Sequence, residues 1–328
     1  MGTLPTPMYE TRLGRAYVGD AQDLLAQLDD ETVDLVVTSP PFALQRQKAY
    51  GNEDQEAYVD WLLAFCRDVH RVLRSSGSFV LDLGGAYTQG RPVRSLYNYR
   101  VLIRLCDEFD FRLAEEFFWY NPARLPSPIE WVNKRKIRVK DAVDTVWWLS
   151  KTDYPKASVQ PILVPYSARM RKLLEDPARF YRPKERPSGH EISGRFGTEG
   201  TGAIPSNLLA ISNTDSNSPY LRFCKLAGVK AHPARFPPKL PAFFIAFLTD
   251  PDDLVLDIFA GSNTTGAAAE AAGRRWVAFE SSTDYLAASL FRFGESMPEG
   301  DVLGLFERLR SNPGAGAHVE EIQARLPL

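Results

Sequence analysis

Cysteine and histidine are scarce in this 328-residue chain: Cys66, Cys106 and Cys224 are its cysteines, His70, His190, His232 and His318 its histidines. Three cysteines without a C-x-x-C pair give no disulfide framework, and the dispersed histidines have no metal-ligand spacing, so no metal site is expected. Long apolar runs are missing as well. Ala242 to Leu248 is uninterrupted, but a membrane-spanning helix needs about 18 residues or more. The opening residues, Met-Gly-Thr-Leu-Pro-Thr, lack the basic-then-apolar pattern of a secretory signal, and cytoplasm is the expected compartment. Net charge is close to absent, a formal -2.

What is present is a globular composition, with 44% hydrophobic and 24% charged residues, which sets aside disordered, collagen-like and coiled-coil classes. The small net charge hides a segregation. Tyr120 to Lys239 holds 21 Lys and Arg against 10 Asp and Glu, while the rest holds 18 against 31. A basic middle in an acidic frame is the footprint of a face that meets a polyanion, because counterion release from phosphates drives nucleic-acid binding. The local run Lys134, Arg135, Lys136, Arg138, Lys140 would, alone, be an ordinary solvated face.

Short β-branched runs at Ala16 to Val18 and Val33 to Val37 predict buried parallel strands. Apolar positions Tyr58, Trp61, Leu62, Phe65, Val69, Val72 and Leu73 recur at helical spacing, with Ser75-Ser76-Gly77 expected to close the helix. Strands are predicted at Ser78 to Leu83, at a segment ending in Tyr120, and at Val143 to Leu149. Regular alternation is lost over 151–231, where Pro, Gly, Ser and Asn accumulate. It returns with strands at Leu254 to Phe259 and Arg275 to Phe279, between helices. This alternation on both sides of an insertion predicts one doubly wound α/β sheet, with functional groups at the carboxyl ends of its strands.

Two loops carry the chemistry. In the first, Asp257-Ile-Phe-Ala-Gly261-Ser-Asn-Thr-Thr-Gly266 turns from a strand into an Ala-rich helix, and Glu280 follows Gly261 by the spacing of a ribose-binding acid. Ala267 stands where a phosphate loop has lysine, and no G-x-G-x-x-G is present, so a ligand with ribose but no pyrophosphate fits best. A plain strand-to-helix turn is the alternative. The second is Thr38-Ser39-Pro40-Pro41-Phe42. Its prolines stiffen the backbone and leave its carbonyls as fixed acceptors, with a hydroxyl before and an aromatic face after. That is a platform for a planar group bearing N–H donors, or else a stiffened strand exit with Phe42 in the core.

Together the loops resemble the S-adenosylmethionine-dependent DNA amino-methyltransferases, with their (D/N/S)-P-P-(Y/F) and F-x-G-x-G-like motifs. Thr-Ser-Pro-Pro-Phe is similar to the N4-cytosine enzymes, and the order of the loops resembles the permuted β class. His232-Pro-Ala-Arg-Phe236-Pro237-Pro-Lys-Leu resembles the family's methionine-side motif. Asn263 departs from it, where many members have glycine. The resemblance implies a Rossmann-like, mixed seven-stranded methyltransferase sheet, with a catalytic half over 1–150, a target-recognition insertion over 151–231 and a cofactor-binding half over 232–328.

It further implies Ser39, Pro40, Pro41 and Phe42 as catalytic. Asp257, Phe259, Gly261 and Ser262 would surround the amino-acid end and sulfur side of S-adenosyl-L-methionine, Glu280 the ribose and Asp20 the adenine, with Phe236 and Pro237 as further contacts. Asp20 also stands where an N-cap is expected. The implied reaction is methylation of the N4 amine of a cytosine flipped out of double-stranded DNA, in a restriction-modification context. N6-adenine methylation and a non-catalytic DNA-binding module on the same scaffold are the alternatives. The cysteines follow Phe65, Leu105 and Phe223, so the Pro-Cys nucleophile of C5-cytosine enzymes is missing. The implied partners are double-stranded DNA, a cognate endonuclease without stable complex, and a second copy of the chain.

Overall fold

The computed structural model describes residues 4–42, 57–176, 200–214 and 218–319. They fall into two compact units, one comprising Met1–Ala157 with Asn207–Leu328 and the other Ser158–Ser206. None of the described helices is long and apolar enough to cross a membrane.

The larger unit is built on β1 (Tyr9–Glu10), β2 (Gly14–Val18), β3 (Val33–Thr38), β4 (Leu73–Leu83), β5 (Arg112–Tyr120), β6 (Val143–Ser150), β7 (Leu208–Ala210), β8 (Leu254–Asp257) and β9 (Arg275–Glu280). Among the described residues they form one nine-stranded sheet in the order β1-β2-β9-β8-β3-β4-β6-β5-β7. The resemblance implies seven strands; the extra two are the edges, of two and three residues, too short to leave a period-2 pattern. The strands β2, β9, β8, β3 and β4 run parallel, and β6 is antiparallel to both β4 and β5. The sheet is therefore mixed and doubly wound, as expected.

Helices α1 (Ala21–Leu25), α2 (Tyr58–Val72) and α3 (Tyr97–Phe109) lie in the first half. The apolar stripe of α2 buries Tyr58, Leu62, Phe65, Val69 and Val72 in one core with Val36, Leu81 and Trp147. Trp148, one residue on, points to the opposite face of the sheet, as alternation along a strand requires. There its ring lies 5.1 Å from Phe247 on α6 (Lys239–Leu248), after α4 (Ala168–Glu175) and α5 (Pro219–Leu226). The chain closes with α7 (Thr264–Ala271), α8 (Thr283–Ser289) and α9 (Glu299–Ser311).

Two boundaries differ from the sequence reading. Ser75-Ser76-Gly77 does not cap α2; the chain passes from Val72 straight into β4, whose first residue Leu73 is buried and whose next three, Arg74, Ser75 and Ser76, are exposed. A Cβ at Gly77 would lie 3.0–3.1 Å from the carbonyl oxygens of Arg74 and Asp34, so glycine there serves a close backbone approach. The separate unit, Ser158–Ser206, is shorter than the irregular stretch 151–231. Leu208–Ala210 pairs with β5, and α5 buries Tyr220, Phe223 and Cys224. Within the smaller unit Val164 and Ala203 exchange two 2.9 Å backbone hydrogen bonds and Ser167 caps α4, but none of its described residues is buried.

Candidate active site

Four adjacent parallel strands, in the order β9-β8-β3-β4, end on polar side chains: Glu280, Asp257, Thr38 and, one residue before the end of β4, Asp82. The carboxyl edge of a parallel sheet, where strand order reverses, is where α/β proteins place ligands. Here that edge brings the two loops of the sequence together.

Asp257 joins them. Its Oδ1 accepts from the Thr38 hydroxyl at 2.7 Å and the Phe259 amide at 3.1 Å, and its Oδ2 accepts from the Thr265 hydroxyl at 2.7 Å. The carboxylate is 2% exposed; burial raises its pKa while the three donors pull it back. Such a sealed, well-satisfied acid is a structural knot between the catalytic-loop strand and the glycine turn. Glu280 is more open. Its Oε2 accepts from the Gly261 amide at 2.8 Å and its Oε1 from the Ser282 amide at 2.9 Å, with burial again raising the pKa against these donors and the Ser281 hydroxyl.

The turn between them has a defined local cause. Gly261 and Asn263 have φ of 53° and 51°, the left-handed region that costs glycine least and asparagine little. Asn263 caps α7 by accepting from the Gly266 amide at 3.0 Å, and donates to the Tyr9 hydroxyl at 2.9 Å. Its departure from glycine therefore keeps the backbone conformation and adds a helix cap. A Cβ on Gly266 would stand 2.2 Å from Asn263 Oδ1. One on Gly261 would stand 3.0–3.1 Å from the imidazole of His232, which packs edge-on to Tyr285 at 4.6 Å. Ser262 is buried and receives Arg292 at both its hydroxyl, 2.9 Å, and its carbonyl, 2.6 Å.

Phe259 lies on the same side, its ring 5.6 Å from Trp61 and 5.0 Å from Phe65. Asp20 caps α1, Oδ1 accepting from the Gln22 amide at 2.8 Å, beside Gly19, whose amide donates to the Glu280 carbonyl at 3.0 Å. Pro237 is buried and Phe236 half-buried, with the Pro237 carbonyl accepting from the Leu240 amide at 2.9 Å as α6 begins.

The catalytic loop continues from β3 with Pro40 buried and Ser39, Pro41 and Phe42 half-buried. The Ser39 hydroxyl lies beside the carboxyl of Asp82 and acts on it as a hydrogen-bonding neighbour that lowers its pKa. Asp82 is 4% exposed and, among the described residues, its Oδ1 has no hydrogen-bond partner. Burial, then the nearby charge of Asp144, pushes its pKa well above the ordinary carboxylate range, with the Ser39 hydroxyl and Arg124 opposing. Asp144, at the start of β6, is paired to Arg124 through both oxygens. Gly84 makes room here: a Cβ on it would come within 2.5 Å of both Asp144 Oδ1 and the Phe42 ring. The Tyr97 hydroxyl donates to the Gly84 carbonyl and fixes this strand end.

Asp82, Asp144 and Arg124 are absent from the residues singled out by sequence, and Thr38, named there only as part of its loop, received no role of its own. A signal existed for the acids, each interrupting an apolar strand in Phe79-Val-Leu-Asp82-Leu and Ala142-Val-Asp144-Thr-Val-Trp-Trp. A buried charge inside such a run needs a partner or a task.

A family model described as DNA methylase matches residues 33–291. The chain is 58% identical over 304 residues to the Type II methyltransferase M.PvuII of Proteus hauseri, covering 92% of this chain and 90% of that one. It is 24% identical to the Type II methyltransferase M.BglII of Bacillus subtilis over 86% of this chain and 69% of that protein. Among solved structures it is similar to the PvuII DNA methyltransferase (cytosine-N4-specific), with TM-score 0.78, 49% identity and coverage of 96% and 98%. The S-adenosyl-L-methionine complex of a putative DNA modification methylase from Thermus thermophilus shares the fold, with TM-score 0.53, 23% identity and coverage of 87% and 95%.

Proposed function

Because the chain belongs to the DNA methylase family matched over residues 33–291, we propose that it methylates the N4 amine of cytosine in a specific double-stranded DNA sequence. S-adenosyl-L-methionine is the methyl donor, and the setting is a restriction-modification system. The observation that carries the chemical part is the Ser39 hydroxyl set beside the buried carboxyl of Asp82, one residue after the Thr38 that is tied to Asp257. The likeness to the PvuII DNA methyltransferase (cytosine-N4-specific), at 49% identity, supports the choice of cytosine N4 over adenine N6.

The residues at the ends of β8 and β9 fit the cofactor. Glu280 spends its bonds on two backbone amides and a neighbouring serine, and a carboxylate has about four acceptor sites, which leaves one for a ribose hydroxyl. Gly261 brings its backbone close without a side chain, and Phe259 offers an apolar wall. When bound, S-adenosyl-L-methionine supplies an electrophilic sulfonium methyl group. Ser262 contributes by shaping the turn, since Arg292 holds its hydroxyl. Asp20, Phe236 and Pro237 are assigned to the same site on the motif resemblance.

A cytosine inside a duplex cannot reach these loops, so it is flipped out and stacked on Phe42. Its exocyclic amine is a poor nucleophile because its lone pair is conjugated with the ring. A hydroxyl can donate or accept, but Ser39 gives its one proton to Asp82, which leaves its lone pairs for an N–H of the amine. The Pro40 carbonyl, which no proline amide competes for, accepts the other. Two acceptors on the two N–H bonds turn the lone pair out of the ring plane and stabilise the positive charge that develops on nitrogen. The proton released from nitrogen passes to the Ser39–Asp82 pair, where burial has raised the affinity of Asp82 for it.

We assign DNA target reading to 151–231, whose Lys and Arg supply phosphate contacts. A cytoplasmic site of action, an endonuclease of the same specificity and a second copy of the chain as partner belong to the same reading. Enzymatic hydrolysis of methylated DNA and mass spectrometry of the nucleosides tests it. N4-methylcytosine is the expected product; N6-methyladenine would overturn the base assignment and 5-methylcytosine the mechanism.

A further inference from the structure

The two acceptors assigned to the amine do not distinguish cytosine from adenine, because both bases present an exocyclic NH₂. The difference lies further along the same edge. Cytosine carries N3 and then the O2 carbonyl, both acceptors. Adenine carries N1, an acceptor, and then a C2–H that accepts nothing. A site that selects cytosine therefore needs a donor for O2, placed beside the acceptors for the amine.

The catalytic corner is rich in acceptors: Ser39, the Pro40 carbonyl, Asp82 and Asp144. Arg124 is the cation whose charge reaches Asp82. Its place is built into the chain. At the exit of β5, Asn121 is buried and its side chain accepts from the Ala123 and Asn213 amides, at 3.1 and 3.3 Å. The Arg124 amide donates to the Asn121 carbonyl at 3.1 Å, and Lys140 Nζ donates to the Arg124 carbonyl at 3.3 Å. This turn folds the guanidinium back over the start of β6, where Asp144 accepts from Nη1 and Nη2.

Asp144 takes two of the five guanidinium N–H groups, and among the described residues no acceptor is bonded to the other three. The Asp144 oxygen that Nη1 reaches and the ring of Phe42 both border the space left open by Gly84. The donor thus lies in the same corner as Phe42, the residue to which stacking of the flipped base is assigned above. Its side chain is 26% exposed, enough to be met by an incoming base.

We infer that Arg124, held in place by Asp144, is the specificity-determining residue that donates to the O2/N3 edge of the flipped cytosine and so selects it over adenine. This rests on the amino-methyltransferase reading above. With adenine in the same position the guanidinium faces a C–H, and a donor left unpaired in a closed site penalises the wrong base.

The test uses full-length protein and oligonucleotide duplexes of the cognate sequence, carrying cytosine or adenine at the target position, with single-turnover kcat/KM as readout. Arg124→Met should lose about 10- to 100-fold on cytosine, the range for one lost charged hydrogen bond, and little on adenine, so the cytosine-to-adenine ratio narrows. Ser39→Ala should slow both substrates and leave the ratio in place. Arg124→Lys, which keeps a charge against Asp144 but loses the planar fork, should narrow the ratio partly and guards against misfolding of the methionine variant. Calorimetric S-adenosyl-L-methionine affinity should be unchanged in both Arg124 variants. An unchanged ratio in both, or equal losses on the two bases, would overturn the assignment of Arg124. Failure of the wild-type protein to methylate either amine would instead overturn the underlying functional reading.

Discussion

The two corners of the sheet edge bury acids in opposite ways. At the ends of β8 and β9, Asp257 and Glu280 each collect three protein donors. At the end of β4 and the start of β6, Asp82 has the Ser39 hydroxyl as its hydrogen-bonding neighbour and, among the described residues, a buried oxygen with no partner, beside a second acid that pairs with Arg124. A buried polar atom left unpaired costs about 1–3 kcal/mol, so the second corner is held against a penalty that the first avoids. The satisfied corner is suited to bind a ligand repeatedly in one pose. The unsatisfied one keeps an acceptor and a proton site ready for a reacting amine.

Separating rate from affinity sharpens this contrast. The largest effect is expected for Ser39→Ala, which should lower single-turnover methyl transfer by about 10²- to 10³-fold, the cost of removing one pre-organised contact to developing charge. Its S-adenosyl-L-methionine affinity, measured by calorimetry, should stay near wild type; a parallel loss of both would merge the two corners. Glu280→Ala should do the reverse without DNA, weakening S-adenosyl-L-methionine and S-adenosylhomocysteine alike by about 10- to 100-fold, as for a charge-assisted hydrogen bond. Unchanged affinity would remove Glu280 from the cofactor site.

Thr265→Val strips one donor from sealed Asp257 while keeping the side-chain shape. It should cost about 1–3 kcal/mol in denaturant unfolding, and a neutral result would mean that Asp257 is not the knot described. The smallest effect is a difference between two variants at Asn263. Asn263→Gly and Asn263→Ala both lose the cap on Gly266 and the bond to Tyr9, but glycine keeps the left-handed turn without strain, so the alanine variant should be the less stable by about 1–2 kcal/mol. Thermal melts that rank the two the other way would contradict the role of the left-handed turn.

The loops were legible in the sequence for a physical reason. Buried parallel strands are apolar runs, and these runs stop at Thr38, Asp257 and Glu280, where the chain leaves the sheet. Each loop is contiguous, so its motif survives in one dimension. The Asp82–Asp144–Arg124 cluster is not contiguous. It depends on β4 pairing with β6 in a register that sets Leu83 opposite Thr145, and on a turn at Asn121 that no local periodicity announces. The roles of Asp257 and Asp20 were blurred for a related reason: an acid at a strand end or helix start reads alike whether it meets a ligand, caps a helix or ties two loops together. The short edges β1 and β7 were invisible because two or three residues carry no alternation.

The central claim is that Asp82, as a carboxylate, commits the proton of Ser39 and so makes its hydroxyl an acceptor. Its pKa is raised in the folded chain, so its protonated form is favoured on folding. The stability it contributes is present at low pH and lost as pH rises through the folded pKa, whereas activity must rise over that same interval. The direct measurement is the pH dependence of the single-turnover methyl-transfer rate in wild type and Asp82→Asn, with cofactor saturating. Wild type should climb to a plateau through a pKa above the ordinary carboxylate range, and Asp82→Asn should be low and flat. An Asp82→Asn profile that keeps the wild-type rate and the same rise with pH would contradict the account.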